Sequence, residues 1–176
     1  TNLSDALRAH LYYSLGARYM QLNAFENAAE VFYLCLSLGA NDLASINLAW
    51  CIREGGHLLL EPDALSEKAE AEYAKAIGFV YPITKKAYTT DDTEENYIIL
   101  LAKNRYASIL LSSGDMAASN ALEMLLSLDA ELRRKKNSGA RHLATWLLPV
   151  NSGNLGSAYM RAQEVDAEGE GLSLAA

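Results

Sequence analysis

The stretch from Tyr12 to Ala40, YYSLGARYMQLNAFENAAEVFYLCLSLGA, constrains this chain more than any other. Leu15 and Tyr19 repeat at helical spacing around Gly16, and Ala28, Phe32 and Cys35 form a small, aromatic, small series at helical spacing further on. Asn23 and Ala24 between them have the composition of a tight turn. Together these predict two helices folded against each other. Small residues let antiparallel helices approach closely, and the large ones fill the seam and the gap to a neighbour. One hairpin of this kind cannot bury both of its faces, so further hairpins are expected.

The positions Tyr12, Leu15, Gly16 and Tyr19, then Ala28, Phe32 and Cys35, resemble the tetratricopeptide (TPR) repeat, whose first helix reads W-x2-L-G-x2-Y. The resemblance implies an all-α fold: a right-handed superhelical array of about three TPR-like hairpins closed by a C-terminal capping helix. The hairpins are expected at about 4–39, 42–81 and 92–132, and the capping helix at 140–148. Residues 1–150 would form the helical domain. Residues 151–176 would be a C-terminal segment, partly helical and then a mobile acidic tail, with the peptide GNLGS (153–157) in a loop.

Local signals refine this plan. Ser4 and Asp5 make a cap for a first helix whose Leu7, Leu11, Leu15 and Tyr19 form a stripe expected to be buried. Gly39 is expected in the left-handed position after the second helix. One period on, Leu43 to Glu54 reads as the next first helix, capped by Asn41 or Asp42 and ended by Gly55-Gly56. Here Ala49 and Trp50 depart from the pattern. The insertion HLLLEPDALS follows, and a helix entered at Pro62 repeats the small, aromatic, small series at Ala69, Tyr73 and Ala76 before Pro82 ends it. Asp91, Asp92, Glu94 and Glu95 favour the positive end of the helix predicted over 96–112, and lack the glycine and terminal glutamate of a calcium loop. The partner helix is predicted over 116–132, in a register set either by Ala118, Leu122 and Leu125 or by Ala121, Leu125 and Leu128. Arg133 to Lys136 suits its C-terminal end, and Pro149 is expected to stop the capping helix.

No catalytic constellation emerges, so the chain reads as a non-enzyme without cofactor or metal. His10, His57 and His142 stand in no ligand spacing, and no phosphate-cradling loop or G-x-S-x-G elbow occurs. Cys35, within VFYLCLSL, is expected to be buried with a raised pKa, which opposes reactivity. A net charge of -7 argues against nucleic acid as the main partner. No apolar run is long enough to span a bilayer, so membrane insertion is not expected. Two cysteines at helix-seam positions read as reduced thiols, which suggests a cytoplasmic protein.

In TPR arrays the first helices line a concave face, so the resemblance implies a groove for a protein or peptide partner. The groove candidates are His10, Tyr13, Ala17, Met20 and Gln21 on the first helix and Ala44, Asn47, Leu48, Cys51 and Glu54 on the next. Leu100, Lys103, Asn104, Ala107 and Leu110 are the third set. Tyr13, Ala17, Leu48 and Leu100 stand at or near the positions where TPR modules that bind acidic chaperone tails carry Lys, Asn and Arg, so a carboxylate clamp is not expected. LYYSLGARY, AAEVF and YLCLSLGA are instead similar to the first hairpin of the chaperones of type III secretion translocators. That likeness covers residues 3 to 54 and implies a chaperone that holds an apolar segment of a client, with association into a homodimer through an exposed helical edge compatible with it. The competing readings are a scaffold or assembly subunit, and a regulatory TPR domain of a longer protein, which the missing initiator methionine would fit.

Overall fold

The computed structural model describes residues 4–58, 67–88, 94–113, 115–136 and 147–161. All described elements are α-helices: α1 (Asp5–Gln21), α2 (Phe25–Ser37), α3 (Asp42–Leu58), α4 (Glu67–Thr84), α5 (Glu94–Ser112), α6 (Asp115–Lys136) and α7 (147–161). The chain divides into two compact units, Thr1–Lys86 and Ala87–Ala176. Among the described residues no helix is long and apolar enough to cross a membrane.

In the first unit each helix packs on the next, and α1 also touches α3. Ser4 caps α1 by accepting from the Leu7 amide at 3.3 Å, and Asn41 caps α3 by accepting from Ala44 at 2.9 Å. The α1–α2 turn is a Schellman motif: the amides of Ala24 and Asn23 return to the carbonyls of Tyr19 and Met20, each at 3.0 Å. Asn23 takes the left-handed position the motif requires, at φ 56°. Gly39, expected to be left-handed, is instead nearly extended at φ 159°.

The hairpin seam is centred on Gly16, the one buried residue of α1. Phe32 lies against it so closely that a Cβ at position 16 would stand 2.7 Å from the ring. Ala28, Phe32 and Cys35 are fully buried, as are Tyr73 and Ala76 on α4. Tyr33 of α2 meets Phe79 of α4 edge-on with centroids 5.8 Å apart, so the second helices touch as the first ones do. Lys86 pairs with Asp42, tying the chain after α4 to the start of α3.

The Leu7, Leu11 and Leu15 stripe is not buried: these side chains are 44%, 49% and 44% exposed. They project from the side of α1 opposite Gly16, away from α2 and α3. Helix ends also differ from expectation. α3 runs through Gly55-Gly56 to Leu58, and α4 continues past Pro82 to Thr84. A proline in a final turn forfeits one internal hydrogen bond, and burial of Val80 and Ile83 outweighs that loss. The expected start at Pro62 lies outside the described residues.

In the second unit α5 packs on α6, and the burial of Ala121, Leu125 and Leu128 selects that register. α6 is longer than expected and carries Arg133 to Lys136 within the helix. Pro149 does not stop a helix and GNLGS is not a loop, because 147–161 is helical throughout. Burial of Leu147, Asn151 and Ala158 along one face of α7 holds this segment helical despite its turn-forming residues. The expected capping helix lies outside the described residues up to 146, as does the acidic tail from 162.

Candidate functional site

The surface that the sequence marks as a groove begins on α1. Tyr13 stacks at a tilt on Phe32, with centroids 6.0 Å apart, so the same ring that closes the hairpin seam fixes its position. Its hydroxyl accepts a long hydrogen bond, 3.5 Å, from Nδ2 of Asn47 on α3. Tyr13 and Asn47 are 34 residues apart, one on α1 and the other on α3. Both are half-buried, as are Ala17 and Met20, while His10 and Gln21 are exposed. Gln21 accepts from the Arg18 guanidinium at 2.7 Å, which holds its side chain at the end of α1.

Leu48 and Cys51 are buried, at 0% and 1% exposure, as is Ala44. They form the floor beneath this face and cannot touch a partner. Glu54 remains half-buried and is bound to Arg53 at 2.5 Å, and that guanidinium lies 4.7 Å over Trp50. The face therefore consists of aromatic, thioether and amide groups with one neutralised carboxylate.

The α5 candidates are different in kind. Asn104 is fully buried, and Leu100, Ala107 and Leu110 are buried too, so none of the four is a contact residue. Asn104 donates to Oδ1 of Asn151 at 3.1 Å, and Asn151 donates to the Leu125 carbonyl at 3.1 Å. Asn154 completes the network, reaching Oδ1 of Asn104 at 3.3 Å and the Ser108 hydroxyl at 2.7 Å. These amides join α5, α6 and α7 through hydrogen bonds, and the bonds between the buried Asn104, Asn151 and the Leu125 carbonyl are worth more than they would be in water. Sequence reasoning missed Asn151 and Asn154 because the peptide NSGNLG has the composition of a turn. The available signal was Asn104 itself, an amide in an otherwise apolar helix.

Lys103 is half-buried and committed within its own unit. Its ammonium donates to the Tyr88 hydroxyl at 2.5 Å and lies 3.8 Å from Glu131, to which Tyr88 also donates at 3.0 Å. Burial, reinforced by the Glu131 carboxylate, raises the Tyr88 pKa. The neutral phenol is thus favoured in the folded state, so stability from this group is fully present below the ordinary tyrosine pKa of about 10 and is lost as pH rises above it. Tyr88→Phe should flatten the alkaline decline of the second unit, read as urea midpoints at successive pH values above about 9.

Burial likewise pushes the Cys35 thiol up, with a smaller opposing effect from a backbone hydrogen bond at Tyr13. Its Sγ donates to the Ala9 carbonyl at 3.3 Å, which is the behaviour of a core thiol. Neither Cys35 nor Cys51 is in a disulfide. Among the described residues no three His, Cys, Asp or Glu side chains come together in a way that could hold a metal ion.

Comparison with known proteins returned no matching protein family, no similar curated protein and no similar solved structure.

Proposed function

We propose that the first unit is a pair of TPR-like hairpins that binds a peptide segment of a protein partner on the face shared by α1 and α3. The observation that carries this reading is the Tyr13–Asn47 hydrogen bond, which joins equivalent positions one repeat apart on a face left half-open. The tyrosine is held by Phe32 and the amide, so its ring is presented at little further entropic cost, a property of good binding anchors. Around it Ala17 and Met20 offer apolar area, and His10, Gln21 and Asn47 offer polar rim contacts. Such a surface suits an extended or helical segment with a few apolar anchors, and the specific role we infer is that of a chaperone shielding an apolar stretch of its client, in the manner of type III secretion translocator chaperones. The superhelical continuation of the array is part of the same proposal.

Random peptides selected by display against the folded protein should be enriched in apolar anchors. Tyr13→Ala and Met20→Ala together should weaken them by about a hundredfold, since buried anchors are worth on the order of 1–2 kcal/mol each. Met20→Glu, which leaves the Tyr13–Phe32 contact untouched, should weaken them at least about tenfold. Selected peptides that bind all three proteins equally would overturn the groove.

A further inference from the structure

α7 is held on α5 and α6 largely by polar groups. Leu147 and Ala158 are its buried apolar side chains, and its bonds to the two helices run through Asn151, Asn154 and Arg161. Asn154 donates to Asn104 and Ser108, residues one turn apart on α5, while Asn151 spans from Asn104 to the Leu125 carbonyl of α6. Seven residues beyond Asn154, Arg161 donates to the Leu111 carbonyl. When α7 leaves, water takes over each of these bonds, so parting costs less than the bonds are worth inside. α7 also has little tendency to be helical by itself. Ser152, Gly153, Asn154, Gly156 and Ser157 crowd its middle, and the released segment gains backbone freedom. α5 and α6 pack on each other as well, and α6 buries Ala121, Leu125, Leu128 and Leu132.

We propose that α7 is a displaceable helix, and that the α5–α6 surface beneath it binds a helix of another protein carrying the same signature, Asn-x-x-Asn followed seven residues on by Arg. Asn104 sets the requirement. It is fully buried, and a purely apolar helix laid over it would strand its amide, so the surface selects for amides and not for greasiness. Asn104 also stands among the groove candidates read from the sequence, and α7 is what covers it. A second copy of the chain gains nothing here. Lending its α7 leaves its own surface bare, and the resident α7 competes at an effective concentration in the millimolar range. Two chains of net charge -7 repel besides.

Hydrogen exchange resolved by peptide should show α7 exchanging at least about a hundredfold faster than α5 and α6, through an opening that leaves those two protected. Ala158→Arg puts a long cation at a fully buried position of α7 and leaves every residue of α5 and α6 in place. A labelled synthetic peptide of residues 147–161 should bind that full-length variant at least about tenfold more tightly than it binds the wild type, whose own α7 competes. The same peptide with Asn151→Leu and Asn154→Leu should bind at least about tenfold more weakly than the native peptide. The proposal is overturned by α7 and α6 exchanging together, by loss of α5 and α6 protection in Ala158→Arg, by a variant that ignores the peptide, or by equal affinity for both peptides. A wild-type dimer that Ala158→Arg abolishes would make a second copy the occupant and overturn it too. None of these outcomes bears on peptide binding by Tyr13 and Met20.

Discussion

Alanine at position 16 should destabilise the first unit by about 1–3 kcal/mol, although glycine to alanine within a helix ordinarily gains up to about 1 kcal/mol. The added Cβ would lie 2.7 Å from Cε1 and 2.8 Å from Cζ of Phe32, closer than carbon atoms tolerate. The ring has no room to retreat, since Phe32 is completely buried and Tyr13 tilts against it. Either α1 and α2 move apart or the ring turns and opens a gap elsewhere. Both routes pass through Tyr13, so Gly16→Ala should also weaken peptide binding. A smaller side chain opposite gives relief: Gly16→Ala combined with Phe32→Leu should lose less than the sum of the two single changes, because the residues are in contact. Urea unfolding with hydrogen exchange resolved by peptide would measure the loss and locate it in α1 and α2. A Gly16→Ala protein as stable as the wild type would mean that the seam is looser than its geometry.

The second large effect belongs to the second unit. Asn151→Ala should cost about 2–4 kcal/mol there, since it strands the Asn104 amide in the interior, removes a bond to the Leu125 carbonyl and leaves a small void. Replacing both partners tests whether the penalty comes from the stranded group. Asn104→Leu with Asn151→Leu should recover a large part of the stability lost by Asn151→Ala, because paired apolar groups of similar size leave little polar surface unsatisfied. If the double leucine variant is the least stable of the three, the amides contribute through bonding that apolar packing cannot replace. Amide exchange in α5 and α7 would report this, with α1 to α4 as internal control.

The difference between the units also explains what the sequence disclosed. Gly16, Ala28, Phe32 and Cys35 declared the first hairpin, because their order of sizes has one packing solution, and Asn23 and Asn41 marked the turn and cap by local hydrogen bonding alone. Tyr13 and Asn47 stand among the groove candidates of two different helices, and the hydrogen bond between them is what the structure adds. The leucine stripe was misjudged, since periodicity shows that a helix side is apolar and says nothing of what covers it. Pro82 has an intrinsic preference against the helix worth about 3 kcal/mol, and the glycines of the NSGNLG peptide one of about 1 kcal/mol each, and burial of Val80 and Ile83 in the first case and of Leu147, Asn151 and Ala158 in the second overrides it. Leu48, Cys51 and Asn104 were placed on the groove by register, and register does not reveal how deeply a helix sinks between its neighbours.

The two buried thiols offer a different use. Both cysteines of the chain, Cys35 and Cys51, lie in the first unit and are shut away from solvent, while the second unit holds none. An alkylating reagent therefore acts as a stopwatch for one half of the molecule, because it advances only when α2 or α3 opens. Gly16→Ala should make it run faster and Asn151→Ala should leave its pace unaltered. Without any label being introduced, the chain carries its own means of timing the opening of its first half alone.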